Sequence, residues 1–346
     1  MSLIQNCWYV AGWSHEVPAD GFCSRILLGE PVLLYRGERG QPIALQDRCC
    51  HRGAPLSLGR REGDCVRCLY HGLKFAPDGV CVAVPGQKSV LPHLKVRSFP
   101  VVERNRFIWI WMGDPQLADP TKILEFFWHD SPEWAYKPGY LRYQANYQLI
   151  VDNLLDFSHL AFLHPTTLGT SSTAELKPEI ERFENGLRIT RWYVNDELPP
   201  MQQKLATFGG RVDRWQIYEW HAPAFMRMDV GSAPTGTGAP QGRRVENALL
   251  LRHTSVQTPE TESTTHYWFC HARNFNLEDE ALSERIYADL VKAFQEDLVM
   301  IEAQQRVLAL TPQMPLLPIG ADAALNQARW IIEQRLKGER KEGVVA

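Results

Sequence analysis

The sequence predicts an α+β fold in which a small antiparallel β domain precedes a larger domain of strands and helices. The first third of the 346-residue chain is a series of brief apolar runs separated by Gly and Pro, which is typical of short strands and turns. After about residue 120, apparent strands alternate with helical patterns. Residues 113–120, Gly-Asp-Pro-Gln-Leu-Ala-Asp-Pro, have the composition of a linker between these two parts. We therefore expect two domains, over residues 1–115 and 116–346.

The composition is that of a soluble enzyme, with 45% hydrophobic and 22% charged residues. A net charge of −3 gives no reason to expect nucleic acid or an anionic membrane as a partner. The first residues lack a basic segment followed by an apolar run, and no stretch of about 18 apolar residues occurs. We expect a cytoplasmic protein without a signal peptide or a transmembrane helix.

Short strands in the first domain are predicted from apolar runs bounded by turn residues. Residues 31–35 and 42–46 are two such runs, and residues 107–111 form a third after a turn at residues 104–105. Residues 74–82 read as a hairpin that turns at Asp78-Gly79.

The second domain is predicted to contain strands around residues 187–193, 215–220 and 267–270. Residues 231–242, rich in Gly, Pro, Ser and Thr, read as a loop. A long helix is predicted from about residue 279 to 310, and residues 337–346 read as a polar tail.

Cysteines are concentrated in one short segment of the first domain. Five of the eight lie there: Cys49, Cys50, Cys65, Cys68 and Cys81. This crowding favours a metal site in a reducing cytoplasm over a disulfide scaffold.

Two loops in this segment each offer one thiolate and one imidazole. Residues 49–53 read Cys-Cys-His-Arg-Gly, and residues 68–72 read Cys-Leu-Tyr-His-Gly. A Rieske [2Fe–2S] cluster needs two Cys on one iron and two His on the other. The loops therefore predict a Rieske cluster held by the four residues Cys49, His51, Cys68 and His71. Cys49 is chosen over Cys50 because it lies two residues before His51.

Other metal sites are compatible with the same segment. Cys65 and Cys68 form a C-x-x-C pair that, with Cys49, His51 or His71, could bind zinc tetrahedrally. A cluster of thiols without metal is a further alternative. The doubled pattern of C-x-H followed by C-x-x-H favours the Rieske cluster, because zinc ribbons usually repeat C-x-x-C.

Residues 152–164, Asp-Asn-Leu-Leu-Asp-Phe-Ser-His-Leu-Ala-Phe-Leu-His, place acids and histidines in an apolar helical setting. At about 100° per residue, Asp152, Asp156 and His159 fall within roughly 60° of one another. Such a buried stripe is costly unless its groups are paired or bind a metal. His164 would lie about 140° from His159, so the helix must widen or unwind for both to reach one metal. The alternative is that the two histidines cap a core helix.

A third metal ligand is predicted on the long helix. Iron(II) that binds O₂ needs open coordination positions, which a set of two His and one carboxylate provides. Asp297 lies in the apolar stripe that Leu290, Phe294, Ile301 and Leu308 form, and its alternative is a buried salt bridge. Glu296 is expected to be an ordinary surface residue.

Together these patterns resemble the oxygenase component of Rieske non-haem iron oxygenases, most closely the vanillate O-demethylase and dicamba monooxygenase type. The order of the sites agrees as well, and the resemblance covers nearly the whole chain. The matching segments are residues 6–11, 51–57, 109–115, 152–156 and 272–275.

The resemblance implies specific roles for these residues. Cys49, His51, Cys68 and His71 would hold the cluster, and His159, His164 and Asp297 would hold a mononuclear Fe(II). Asp156 would bridge to a cluster histidine of a neighbouring subunit while its carboxylate also hydrogen-bonds the His159 ring, and Asn153 would be a polar neighbour of the iron. The catalytic domain would have the helix-grip fold, an antiparallel sheet flanked by helices.

The resemblance also implies partners and an activity. We expect a head-to-tail homotrimer that receives electrons from NADH or NADPH through a separate flavin and [2Fe–2S] reductase, directly or through a ferredoxin. With O₂ it would monooxygenate a substituted aromatic acid in the catabolism of an aromatic compound, by O-demethylation with release of formaldehyde. Alternatives are ring or alkyl hydroxylation of another small aromatic or alicyclic substrate, a Rieske electron carrier without oxygenase activity, and a zinc-binding interaction protein. Candidate substrate-pocket residues are Trp220, His221, His253, Asn274 and Phe275.

Overall fold

A computed structural model describes residues 3–341 of the chain. Its contacts divide the chain into two compact units. The first is Met1–Glu125 together with Thr258–Glu262 and Leu336–Ala346, and the second is Phe126–Gln257 with Ser263–Arg335. The α+β prediction is confirmed, with an all-β beginning and a mixed second part. The predicted domain boundary after residue 115 stays a prediction.

The first unit is built from eleven short strands in three antiparallel sheets. In sheet order these are β1-β11-β10, β2-β3-β4-β9 and β5-β6-β7-β8. Their bounds are β1 Trp8–Trp13, β2 Cys23–Leu27, β3 Glu30–Arg36, β4 Pro42–Gln46, β5 Arg60–Glu62, β6 Cys65–Arg67, β7 Lys74–Phe75, β8 Cys81–Ala83, β9 Ser98–Phe99, β10 Val101–Arg104 and β11 Phe107–Trp111.

The strands predicted in the first domain are present. The runs at residues 31–35, 42–46 and 107–111 lie in β3, β4 and β11. The predicted hairpin is the β7–β8 pair, and Gly79 in its turn has φ 84°, a conformation that glycine adopts without a steric penalty.

The second unit is organised around a seven-stranded antiparallel sheet with helices. The sheet order is β12-β18-β17-β16-β15-β14-β13. The strands are β12 Gly139–Tyr143, β13 Glu179–Phe183, β14 Gly186–Asp196, β15 Val212–His221, β16 Phe225–Pro234, β17 Leu249–Pro259 and β18 Thr265–Arg273. The helices are α1 Tyr147–Leu155, α2 Leu160–Leu163, α3 Ser172–Glu175, α4 Pro200–Gln203, α5 Glu280–Leu310 and α6 Ala323–Lys341.

Two segment predictions for the second domain need correction. The predicted loop at residues 231–242 begins as strand, because β16 continues to Pro234 in register with β15. The predicted polar tail is helical over residues 337–341, and residues 342–346 lie outside the described part. Within the described residues, no helix is long and apolar enough to span a membrane.

Candidate functional site

The two cysteine–histidine loops have the same backbone construction. The Gly53 N–H donates to the Cys49 carbonyl, and the Gly72 N–H donates to the Cys68 carbonyl, each at 2.9 Å. Each cysteine N–H in turn donates to the carbonyl of the residue after the glycine, at 2.8 and 2.9 Å. Both glycines have positive φ, 70° and 78°, which explains why glycine ends each loop. The repeated turn presents two equivalent Cys/His arms.

The four predicted cluster residues divide into a buried pair and an exposed pair. Cys49 and Cys68 are 1% and 2% exposed, and the imidazoles of His51 and His71 are exposed with ring centroids 4.5 Å apart. Burial raises the pKa of Cys49 to about 11, and the neighbouring Cys68 thiol contributes to the rise. Two thiols inside and two imidazoles outside fit a [2Fe–2S] cluster with one iron on each pair.

The remaining cysteines of the segment have different surroundings. Cys50 is half-buried against the apolar core that contains Cys49 and Cys68. Cys65 is half-buried on β6, and Cys81 is buried on β8. Burial also raises the pKa of Cys50, as expected for a thiol that packs as an apolar group.

The segment from residue 152 to 164 is not one helix. α1 ends at Leu155, Asp156 is extended with φ −120° and ψ 99°, and a 3₁₀ turn, Phe157–His159, leads into α2. The sequence predicted that the helix would open between His159 and His164, but the break lies before His159. The Asp156 carboxylate stabilises this break by accepting from the Ser158 N–H and hydroxyl, both at 2.9 Å.

The break brings His159, His164 and Asp297 together. One potential ligand atom from each lies within 4.8 Å of the others. Asp297 Oδ1 is 3.5 Å from His159 Nε2 and 3.0 Å from His164 Nε2. The opposite ring nitrogens are anchored, His159 Nδ1 at 2.5 Å from the Asp156 carbonyl and His164 Nδ1 at 2.7 Å from Glu296 Oε2. With Nδ1 as the donor, each Nε2 lone pair faces Asp297, the geometry of a metal-ligating histidine.

The surroundings of this triad suit a cation. Burial lowers the pKa of His159. At His164 burial acts in the same direction, but Asp297 and Glu296 outweigh it and raise the pKa. Asn153 Nδ2 donates to Asp297 Oδ1 at 2.9 Å and lies 3.4 Å from His159 Nε2. Two imidazoles and a carboxylate on one side of a cavity form the donor set of a non-haem iron(II) site with open positions.

Two expectations about neighbouring carboxylates were wrong. Glu296 was expected at the surface without a role, but it accepts from the His164 ring. The Asp156 carboxylate was expected to bond the His159 ring, but the Asp156 backbone carbonyl does so. Glu296 and Asp297 project from α5 about 100° apart, and they approach different nitrogens of the His164 ring, Nδ1 and Nε2 respectively.

His159 and Asp297 of the triad line a cavity that is partly open to solvent. Its lining is mostly apolar and comes from both the helices and the sheet. The lining residues are Asn153, Leu154, Phe157, His159, Leu160, Leu168, Pro199, Met201, Gln202, Gln216, Met228, Val230, His253, His271, Leu290, Phe294 and Asp297.

Of the five candidate pocket residues, only His253 lines this cavity. Trp220 is 1% exposed in the core, and His221 lies against Phe183. Asn274 and Phe275 follow the end of β18. These four do not line the cavity beside the triad, and a substrate contact for them stays a prediction.

The sequence reasoning missed the other polar lining residues, which are Gln202, Gln216 and His271. His271 follows the apolar run at residues 267–270 of β18, and this interruption is the signal that could have identified it. β15 contains other polar residues, such as Asp213 and Glu219, so no such signal marks Gln216.

Comparisons with known proteins cover nearly the whole chain. A family model described as the vanillate O-demethylase oxygenase C-terminal domain matches residues 143–338, and one described as the Rieske [2Fe-2S] domain matches residues 7–100. The iron-sulfur subunit of the toluene-4-sulfonate monooxygenase system of Comamonas testosteroni is 62% identical over 97% of this chain and 98% of its own. A vanillate O-demethylase oxygenase subunit of a Pseudomonas species is 37% identical over 97% and 96%. The crystal structure of dicamba monooxygenase bound to 3,6-dichlorosalicylic acid superposes with a TM-score of 0.91 at 33% identity, covering 98% of this chain and 99% of that one.

Proposed function

Because the chain belongs to the Rieske non-haem iron oxygenases of the vanillate O-demethylase type, we propose that it monooxygenates the methyl or methoxy carbon of an aromatic acid. It is an iron-dependent oxidoreductase with a Rieske [2Fe–2S] cluster and a non-haem iron. The observation that supports the substrate class best is the largely apolar cavity that opens onto the His159, His164 and Asp297 triad. An aromatic ring fits such a lining, with one substituent directed at the triad.

Each group of residues has a proposed part in the reaction. Cys49, His51, Cys68 and His71 would hold the cluster, and His159, His164 and Asp297 would hold the mononuclear iron. When bound, these groups supply electrons and the activation of O₂ for insertion into a C–H bond.

The residues around the triad orient the ligands and the substrate. The Asp156 carbonyl and the Glu296 carboxylate fix the rings of His159 and His164, so both Nε2 atoms stay directed at one point. Asn153 donates to Asp297 Oδ1, the same oxygen that the two histidine rings approach. Apolar lining residues such as Phe157, Leu290 and Phe294 exclude water from the reacting carbon.

The relatives suggest two outcomes for the carbon that reacts. The 62% identical relative is named for toluene-4-sulfonate, whose methyl group would give a stable alcohol. The vanillate and dicamba relatives are named as O-demethylases. A hydroxylated methoxy carbon is a hemiacetal that breaks down to a phenol and formaldehyde. Hydroxylation of a methyl group is our first candidate, and the demethylation predicted from the sequence is the second.

A matched substrate pair separates the two outcomes. Toluene-4-sulfonate and 4-methoxybenzenesulfonate differ by one oxygen, and their carboxylate counterparts test the acid group. With a surrogate reductase and NADH, we expect O₂ uptake coupled to 4-(hydroxymethyl)benzenesulfonate from the first, with a higher kcat/KM than formaldehyde release from the second. The reverse order of kcat/KM would make demethylation the main reaction. If none of the four acids stimulates O₂ uptake or yields product, the proposed substrate class is wrong.

Asp156 is proposed to connect the iron site of one subunit to the cluster of the next in a homotrimer. We expect Asp156→Asn to lower turnover by roughly 10- to 100-fold, the usual size of such outer-sphere effects. The substitution keeps the backbone carbonyl that holds His159 and an oxygen for Ser158, so the fold and both metals are retained. The reductase should reduce the cluster at the normal rate, while reoxidation in the presence of substrate and O₂ slows.

Mixing two inactive variants tests electron transfer between subunits without substituting Asp156. His51→Ala lacks the cluster and His159→Ala lacks the iron, so neither turns over alone. Mixed trimers should regain activity if an intact cluster of one subunit serves the intact iron site of another. No recovery after verified subunit exchange would place the transfer within one chain.

A further inference from the structure

Two histidines lie side by side on the sheet wall of the cavity. His253 on β17 and His271 on β18 have ring centroids 4.9 Å apart, and both line the cavity. Neither ring nitrogen of His271 has a hydrogen-bond partner among the described residues, nor does Nδ1 of His253. Buried polar groups without partners carry a free-energy cost that a bound ligand can remove. The pair is therefore a candidate ligand subsite.

The hydrogen-bonding state of His253 limits what this subsite can accept. His253 donates to the Cys270 carbonyl, and since Nδ1 is without a partner, the donor is Nε2. In a neutral ring Nδ1 is then a lone pair and cannot donate. A sulfonate or carboxylate has only acceptor oxygens, so the neutral pair offers it a single free N–H, that of His271. Protonation of the pair adds a second donor and a positive charge.

The cavity offers an anion no other positive side chain. Its described lining contains no Lys or Arg, and Asp297 is its one carboxylate. Asp297 belongs to the proposed iron site, where the reacting carbon must lie. A head group para to that carbon is held a ring's length away from the metal. An anion at that position needs a counter-charge because burying an unpaired charge is costly.

Resting on the function proposed above, we propose that the His253–His271 pair is the subsite for the anionic head group of the aromatic acid. We infer further that the pair takes up one proton from solution when the anion binds. Coulomb attraction in a cavity of low dielectric constant favours the imidazolium form beside the anion, even where the two are not in direct contact.

The groups around the pair leave both rings neutral before the anion arrives. Burial lowers the pKa of His271 to about 4. Burial and the neighbouring His271 ring lower the pKa of His253 well below its usual value. Apolar side chains face the pair from β16 and α5, namely Met228, Leu290 and Phe294. At neutral pH the empty subsite therefore holds no charge of its own.

Charged groups do occur on the other side of His271. Lys137, Arg273 and Tyr287 line a smaller neighbouring cavity with it. Lys137 pairs with Glu284 at 2.6 Å, and Arg273 donates to the Ser283 hydroxyl at 2.8 Å. Lys137 is therefore neutralised by its partner, and burial by itself accounts for the lowered pKa of His271.

Calorimetry on the wild-type holoenzyme measures the proton directly. Toluene-4-sulfonate is titrated in two buffers of different ionisation enthalpy, with the uncharged isostere toluene-4-sulfonamide as the matched ligand. We expect uptake of about one proton with the sulfonate and none with the sulfonamide. Because the bound pKa is raised, sulfonate affinity should fall as pH rises from 6 to 8, by up to about tenfold per unit. Sulfonate binding without proton uptake would overturn the proposal.

Substitution tests whether this pair is the site of uptake. His253→Gln and His271→Gln should each abolish proton uptake and weaken sulfonate binding about tenfold or more, leaving sulfonamide binding nearly unchanged. His221→Gln, outside the cavity lining on β15, is the matched control and should bind both ligands as the wild type does. The cluster spectrum and the melting temperature check that each variant is folded. If the variants do not fold, the calorimetry of the wild-type protein still tests proton uptake.

The outcomes separate this proposal from the proposed function. If aromatic acids are turned over but both variants still take up the proton, the head-group subsite lies elsewhere and the activity stands. If the cavity binds the sulfonamide but neither toluene-4-sulfonate nor 4-methylbenzoate, the aromatic-acid assignment and the subsite both fall.

Discussion

Alanine at His159, His164 or Asp297 is expected to abolish turnover while the visible spectrum of the Rieske cluster stays unchanged. Each substitution removes one of three groups whose ligand atoms converge within 4.8 Å. Two remaining ligands hold iron(II) weakly, and the open positions lose their geometry. The cluster loops belong to the other compact unit, so their ligands are untouched. Product formation and iron content per chain, measured beside the cluster absorbance, test this expectation.

Asp289→Ala is the matched control for Asp297→Ala. Both residues lie on α5, but Asp289 pairs at the surface with Lys204 at 2.7 Å. Loss of an exposed ion pair changes stability by less than about 1 kcal/mol, so near wild-type activity is expected. Retained iron and turnover in Asp297→Ala would mean that another carboxylate completes the site. Glu302 is a poor substitute, because it accepts from the Gln144 N–H.

The sequence was most informative where the chemistry is local. The two Cys/His loops each span five residues, so their ligand types, spacing and terminal glycines are visible without knowledge of the fold. Asp297 was found because a carboxylate in an apolar helical stripe is unusual enough to need a reason. The structure adds that Asp297 Oδ1 accepts from Asn153 Nδ2 and lies 3.0 Å from His164 Nε2.

Helix geometry explains the errors around the triad. Periodicity assumes a continuous helix, whereas the Asp156 carboxylate ends α1 locally by bonding Ser158. Asp side chains compete with helical carbonyl groups for backbone N–H donors. The sequence does not reveal at which Asp this competition ends the helix. The contact of Glu296 with His164 joins residues 132 positions apart, so it depended on the tertiary fold.

The pocket could not be read from the sequence because it is assembled across four strands. Alternation shows that Gln216 and Trp220 share a face of β15, but it does not show where along the strand the cavity ends. Four residues of strand cover about 13 Å, which is enough to move Trp220 from the cavity into the core. His253 and His271 become neighbours only through the pairing of β17 with β18.

Loss of a cluster ligand is the second large effect, and it is expected to appear as loss of colour. Cys68→Ser removes a buried thiolate, and His51→Ala removes one of the two exposed imidazoles. Either change leaves an iron with an incomplete ligand set, so the purified protein should be colourless, inactive and without a Rieske EPR signal after reduction.

Cys50→Ser and Cys65→Ser are the matched controls for this prediction, since each removes a thiol from the same segment. Cys50 packs as a half-buried apolar group, and Cys65 lies on β6 outside both loops. Both variants should keep the cluster spectrum, with at most a modest loss of stability at Cys50. A Cys50→Ser protein without the Rieske spectrum would mean that Cys50, and not Cys49, supplies the thiolate ligand of the first loop. We expect the spectrum to be retained in Cys50→Ser and lost in Cys49→Ser, because the shared turn of the two loops gives Cys49 and Cys68 equivalent positions. That pair of results would exclude Cys50 as a ligand.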